Sequence, residues 1–223
     1  MSMLPLDKND GGGRYPGFST LAQAHSWDQA TAGVVLGRIG PPPEIRFFTP
    51  QEEAGAAALL DQLLGQHAEP RVPVVNFVDS RLAEKQTDGW RYEDLPEDGE
   101  AWRKTLAALD HSAEELYFQP FAECPESEQA ALLQSIQDLG NSTWQGMRAS
   151  RVWGLWTRYA ATAFYSHPWA WDEIGFGGPA YPRGYKNLGI DRRESFEVAD
   201  ASPGEDPLEA GPAALSQTDR KNA

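Results

Sequence analysis

The sequence predicts a mainly α protein: a small domain of about five helices over residues 45–165, then a long irregular arm rich in aromatics and glycine over 166–198, with disordered ends. Three observations carry this prediction. Apolar residues recur at helical spacing through the middle of the chain. No stretch alternates apolar and polar residues as a half-buried strand would. Helix-capping residues stand where the periodic stretches begin. At 223 residues the chain can bury one sizeable core.

Residues 1–13 end in DGGG, have nothing to bury and read as a flexible lead-in. An N-terminal extension follows over 14–44, in which Trp27, Thr31, Val34 and Val35 have helical spacing and Asp28 stands near the start, although Gly33 and Gly37 weaken the pattern. GPPPEIRFF is an extended connector, because each proline disfavours helix in the residue before it.

The clearest helix start is Thr49-Pro50-Gln51-Glu52, a capping box with proline at the first helical position. Leu59, Leu60, Leu63 and Leu64 give that helix its apolar face, and Gly65-Gln66 ends it. A second stripe, Val74, Phe77, Val78 and Leu82, favours helix over strand. QTDGWRYEDLPEDGE is a polar loop displaying Trp90 and Tyr92. A third helix aligns Trp102, Leu106, Leu109 and Leu116. A fourth opens at Pro125, placed at N1, with Glu126 and Glu128 in the dipole-favoured first turn, and closes at Gly140-Asn141. A fifth runs from Trp144 to Ser166, with Val152, Trp156, Tyr159, Ala160, Ala163 and Phe164 on one side, and stops at His167-Pro168. Residues 199–223 are small, polar and proline-rich and read as a disordered acidic tail.

Composition excludes several functions. A net charge of -14 repels phosphate backbones and anionic lipid surfaces, which argues against nucleic-acid and membrane-surface partners. Cys124 is the only cysteine, so there is no disulfide, thiolate metal site or C-x-x-C-H haem attachment. The first forty residues show no basic region followed by an apolar one and no twin arginines, which gives a cytoplasmic location by default. The longest apolar run, AGAAALL, is too short to span a bilayer, so no direct membrane insertion is expected.

The chemical motifs are weak. GFGGPA at Gly175–Ala180 formally matches a dinucleotide fingerprint, but Pro179 and Pro182 deny it the helix such a site needs. His167 with Asp172 and Glu173 could be drawn as a metal cluster or as an acid and base, yet the spacing fits no defined signature, and His25, His67 and His111 are scattered. No G-x-S-x-G, H-E-x-x-H or P-loop occurs.

The arm is the most informative segment. Ser166 to Glu197 holds five glycines, three prolines and six aromatics. Backbone of that kind cannot satisfy itself by regular hydrogen bonding, so it needs a surface to pack on. Either the chain's own domain or another chain could supply that surface. Aromatics and arginine dominate interface energetics, and glycine permits close backbone approach.

HPWAWDEIGFGGPAYPRGY followed by DRRESFE resembles the C-terminal motif of the gluconate 2-dehydrogenase subunit 3 family, and RFFTPQE, VPVVNFVDSRLAE and GWRYEDLPEDGEAWRKTLAALD resemble its helical part, over roughly residues 45 to 197. The resemblance implies a non-catalytic small subunit that binds and stabilises the FAD-carrying large subunit of a glucose-methanol-choline-type dehydrogenase acting on a sugar, glycoside, polyol or sugar acid, with a cytochrome c subunit carrying haem c as a third partner. It implies no cofactor in this chain. The residues matching the motif, and so implied to bind the partner, are His167, Pro168, Ala170, Trp171, Glu173, Ile174, Gly175, Phe176, Gly178, Pro179, Pro182, Arg183, Gly184 and Tyr185. Trp171, Phe176 and Tyr185 would be apolar anchors, and Arg183 and Glu173 polar ones. Several family members carry a twin-arginine signal that this sequence lacks, so a periplasmic location would require co-export with a partner bearing the signal. Two other readings stand beside this one: a stand-alone enzyme using His167 with Asp172 or Glu173, and a sugar-binding module built on the arm.

Overall fold

The computed structural model describes residues 15, 18–67, 69, 71–187, 189 and 192–198. The expected flexible lead-in and acidic tail lie outside the described residues. The protein is mainly helical, and its contacts divide it into two compact units: Pro42–His67 with Pro73–Phe164, and Met1–Pro41 with Ala68–Val72 and Tyr165–Ala223.

The second-named unit starts with a 3-10 helix, Thr20–Ser26, followed by α1, Gln29–Gly37, whose N-cap Asp28 accepts from the Thr31 amide. Of the residues with helical spacing there, Trp27 and Val35 are buried whereas Val34 is 60% exposed.

The helical unit holds α2 (Pro50–Leu64), α3 (Val74–Ala83), α4 (Asp98–Tyr117), α5 (Glu126–Asp138) and α6 (Ala149–Phe164). The capping box forms: the Thr49 hydroxyl accepts from the Glu52 amide, and Glu52 accepts from the Thr49 amide at 2.8 Å. Gly65 then stops α2 in the left-handed region at φ 68°. α2 is the central element, touching α3, α4, α5 and α6. It allows close approach because Gly55 and Ala56, both buried, face its neighbours with almost no side chain.

Three sequence expectations are corrected. Pro125 is the N-cap of α5, in extended backbone, and its carbonyl accepts from Gln129 at 3.0 Å. Leu116 is 58% exposed, because the last turn of α4 runs past the elements that cover its apolar stripe. The fifth helix starts at Ala149: Thr143–Trp144 and Met147–Arg148 pair as a short antiparallel hairpin, β1 and β2, around Gln145 and Gly146 at φ 46° and 78°. Two consecutive positive φ values make the tight turn that suits hairpin twist and that no helix tolerates.

α6 presents a row of aromatics whose polar tips are satisfied by α4. Tyr159 donates to Asp98 at 2.7 Å, Trp156 to Thr105 at 3.0 Å and Trp144, just before α6, to Ser112 at 3.2 Å. The three acceptors stand two helical turns apart along α4, so one polar row meets one aromatic row. Burial, reinforced by the Asp98 carboxylate, pushes the Tyr159 hydroxyl well above its usual pKa.

The connector before α2 is fixed by one fully buried carboxylate. Asp79 of α3 accepts from the amides of Arg46, Phe47 and Phe48 at 2.7, 2.9 and 2.8 Å. These amides belong to an extended segment that has no ladder to join, so Asp79 takes the place of a paired strand. Asp79→Ala should lower the unfolding free energy by about 3 kcal/mol or more, because three donors lose their acceptor. Urea denaturation followed by circular dichroism measures this, and a loss below about 1 kcal/mol would contradict the role assigned to Asp79.

Candidate partner-docking site

The segment after α6 turns its helix breakers into helix ends. His167 is extended, and its Nδ1 accepts from the Trp169 amide at 3.2 Å. Pro168 follows at the first helical position, where no amide is needed, so a further short helix, α7 (Pro168–Ile174), forms inside the predicted irregular arm. Gly175, at φ 68°, ends it, and the Phe176 amide reaches back to the Trp171 carbonyl at 2.9 Å.

This segment packs on the chain's own N-terminal part. The Thr20 amide donates to Asp172 at 2.6 Å, and the Thr20 hydroxyl donates to the Phe176 carbonyl at 2.8 Å. The Trp27 indole donates to the Pro179 carbonyl at 2.9 Å. Trp27, Val35 and Trp171 form a buried cluster, and Trp171 donates to the Tyr165 carbonyl at 2.6 Å. Gly178, at φ 73°, lies so close to the Trp27 ring that a Cβ there would sit 2.6 Å from it.

Arg183 ties the turn down. One of its terminal nitrogens donates to Gln23 at 3.0 Å and Ser26 at 2.7 Å, the other to the Gly177 carbonyl at 3.0 Å, and the guanidinium lies 3.4 Å from the centre of the Phe196 ring. The Glu194 carboxylate accepts from the amides of Lys186 and Asn187, which holds it below the usual carboxylate range. In Asp172 burial dominates over the Thr20 amide and raises the carboxyl above that range.

The family model of gluconate 2-dehydrogenase subunit 3 matches residues 50–178, which runs from the first residue of α2 to the glycine against Trp27. The chain belongs to the gluconate 2-dehydrogenase subunit 3 family. Pro182 to Tyr185 lie beyond the matched segment. Neither the curated proteins nor the solved structures gave a match.

The structure sorts the motif residues of this family member into an inner and an outer set. His167, at 1% exposed, and Trp171, at 7%, are inside together with Pro168, Gly175 and Gly178. Glu173, Pro179 and Arg183 are partly buried, and Phe176, Pro182, Gly184 and Tyr185 are exposed. Trp171, expected as an outward anchor, is instead spent on Trp27 and Val35. Nor do His167, Asp172 and Glu173 form a cluster: among the described residues, no group of three or more His, Cys, Asp or Glu converges as a metal site needs. The partners Thr20, Gln23, Ser26 and Trp27 carry no local sequence signal of their role, since each meets the motif across more than a hundred residues. Tyr181 and Ile174, 66% and 46% exposed, extend the outer set.

Gly178→Ala should destabilise this unit by about 2 kcal/mol or more, from backbone strain plus the clash with Trp27. Thermal unfolding followed by tryptophan fluorescence tests this, and an unchanged midpoint would contradict the packing. Asp172 supplies a pH test. Its raised pKa means that the folded form holds the proton more tightly, so its contribution is full at low pH and is lost as pH rises from the ordinary carboxylate range through the raised value. Asp172→Asn keeps an acceptor for Thr20 and should flatten that part of the stability profile; a profile identical to wild type would contradict the burial of the carboxyl.

Proposed function

We propose that this chain is a non-catalytic small subunit that docks on, and stabilises, the FAD-carrying large subunit of a dehydrogenase acting on a sugar, glycoside, polyol or sugar acid. The single observation that carries this reading is the family match over residues 50–178. In this reading FAD resides in the large subunit, and haem c in a cytochrome c subunit that takes the electrons. Among the described residues, no helix is long and apolar enough to cross a membrane.

The geometry supports docking over acid-base chemistry in this chain. His167 is buried with its Nδ1 occupied as a helix cap, and Asp172 accepts a backbone amide, so both have structural work. The outer set is what remains for a partner: Ile174, Phe176, Tyr181 and Tyr185 display large apolar surface on a turn anchored from beneath by Arg183 and Trp27. A rigid aromatic surface loses little entropy on association. Binding the folded large subunit and not its unfolded form would stabilise it by mass action.

Co-expression with the flavoprotein and capture through a tag on this chain should recover a yellow, active complex. Phe176→Ala with Tyr185→Ala should weaken it by roughly 2 kcal/mol or more in total while leaving this chain folded. A wild-type chain recovered alone and monomeric beside soluble flavoprotein would overturn the reading.

A further inference from the structure

The end of α4 breaks three local rules at one point. The helix closes on Phe118, a left-handed residue at φ 62° whose amide bonds to the Glu114 carbonyl at 3.1 Å. Glycine takes that position without strain, whereas a phenylalanine is strained there. Its ring gains no packing in return: it is 90% exposed, more than any other large apolar side chain among the described residues. Leu116, two residues earlier, is 58% exposed. Glu114 and Glu115 stand in the same last turn, at the negative pole of the helix dipole, and no basic residue there offsets them. A single exposed apolar side chain needs no explanation. A helix end that is strained, apolar and unfavourably charged together has the marks of a functional surface.

The surroundings define the occupant. Between residues 105 and 147 there are seven carboxylates and no lysine or arginine. α2 and α5, which both touch α4, carry acids and neither of those cations. Asp110 is met by neutral donors, the Phe121 amide at 3.1 Å and the Gln51 amide group at 3.1 Å, so its charge stays. Two copies of such a surface repel each other, and a basic protein face with an apolar pocket is its complement. Size points to the large subunit. The 174–185 turn falls short of the roughly 20–30 residues that a standard interface takes from each side, so a stably held partner needs more surface than the turn offers.

We propose that the end of α4 is a second docking surface for the large subunit, with Phe118 and Leu116 seated in an apolar pocket whose lysine or arginine rim meets Glu114 and Glu115. This rests on the docking reading above and adds to it a contribution from the helical unit.

Competition between a tagged variant and untagged wild-type chain for the co-expressed flavoprotein, at low and high salt, tests it, beside the melting temperature of each variant alone. Phe118→Gly should melt no lower than wild type, because glycine relieves the strain, yet bind about tenfold or more weakly. Glu114→Gln with Glu115→Gln should lose to wild type at low salt and recover at high salt. If the wild-type complex forms but both variants compete equally with wild type, the second surface is overturned and the docking reading stands. A wild-type chain that binds no flavoprotein would overturn both. A lowered melting temperature in Phe118→Gly would also overturn the proposal, because the ring would then serve the fold. So would dimers of the free chain that Phe118→Gly abolishes, because a second copy would then own the surface.

Discussion

The contact between Trp27 and the 178–179 backbone is the constraint on which the C-terminal segment depends. The indole occupies the space that any side chain at 178 would need, and its N–H satisfies the Pro179 carbonyl. That one arrangement explains why a glycine with left-handed backbone stands there, and why the peptide after it has a buried acceptor with a partner. It sits among three further ties: Thr20 to Asp172, Arg183 to Gln23 and Ser26, and Arg38 to the Ser166 carbonyl. Each joins residues far apart in sequence, so order in the segment follows from packing and not from local propensity.

The helical unit solves a different problem, the burial of indole and phenol rings with partners for their polar atoms, which Trp144, Trp156 and Tyr159 find and the Trp102 indole nitrogen does not. A polar row on α4 supplies partners at two-turn intervals, and Asp79 supplies acceptors for a connector that has none. Both devices place polar groups in a core: each of the three rings has one acceptor on α4, and the two oxygens of Asp79 serve three amides. Cores of this kind tolerate volume changes better than the removal of one polar partner.

Much of this was legible in the sequence, for physical reasons that differ by element. Thr49 to Glu52 carries its geometry locally, because capping is an interaction over three residues. Val74, Val78 and Leu82 identify their helix by spacing, and all three are buried. The β1–β2 hairpin was hidden because its turn uses Gln145 at positive φ, where an asparagine or glycine would have announced it. α7 was hidden because Pro168 reads as a stop when it is a start, a distinction that rests on the His167 cap. For the site, the motif marked the right segment but could not divide it. Trp171 and Tyr185 are both aromatic, and only the presence of Trp27 and Val35 beside the first makes it core.

That division gives the segment two tasks. The inner residues, His167 to Gly178 except Ile174 and Phe176, build a platform with the N-terminal part, and Ile174 and the residues from Phe176 to Tyr185 that face solvent are displayed on it. Amide hydrogen exchange of the full chain, alone and with the flavoprotein, tests this most directly. The account predicts slow exchange at Trp171 and Phe176, whose amides bond to the carbonyls of His167 and Trp171, in both states, and at Tyr181, Arg183 and Tyr185 protection that appears with the partner; Pro182 has no amide, and that of Gly184 already bonds to Ala180. Fast exchange at Trp171 in the free chain, or amides of Tyr181, Arg183 and Tyr185 that exchange identically with and without the flavoprotein, would contradict it.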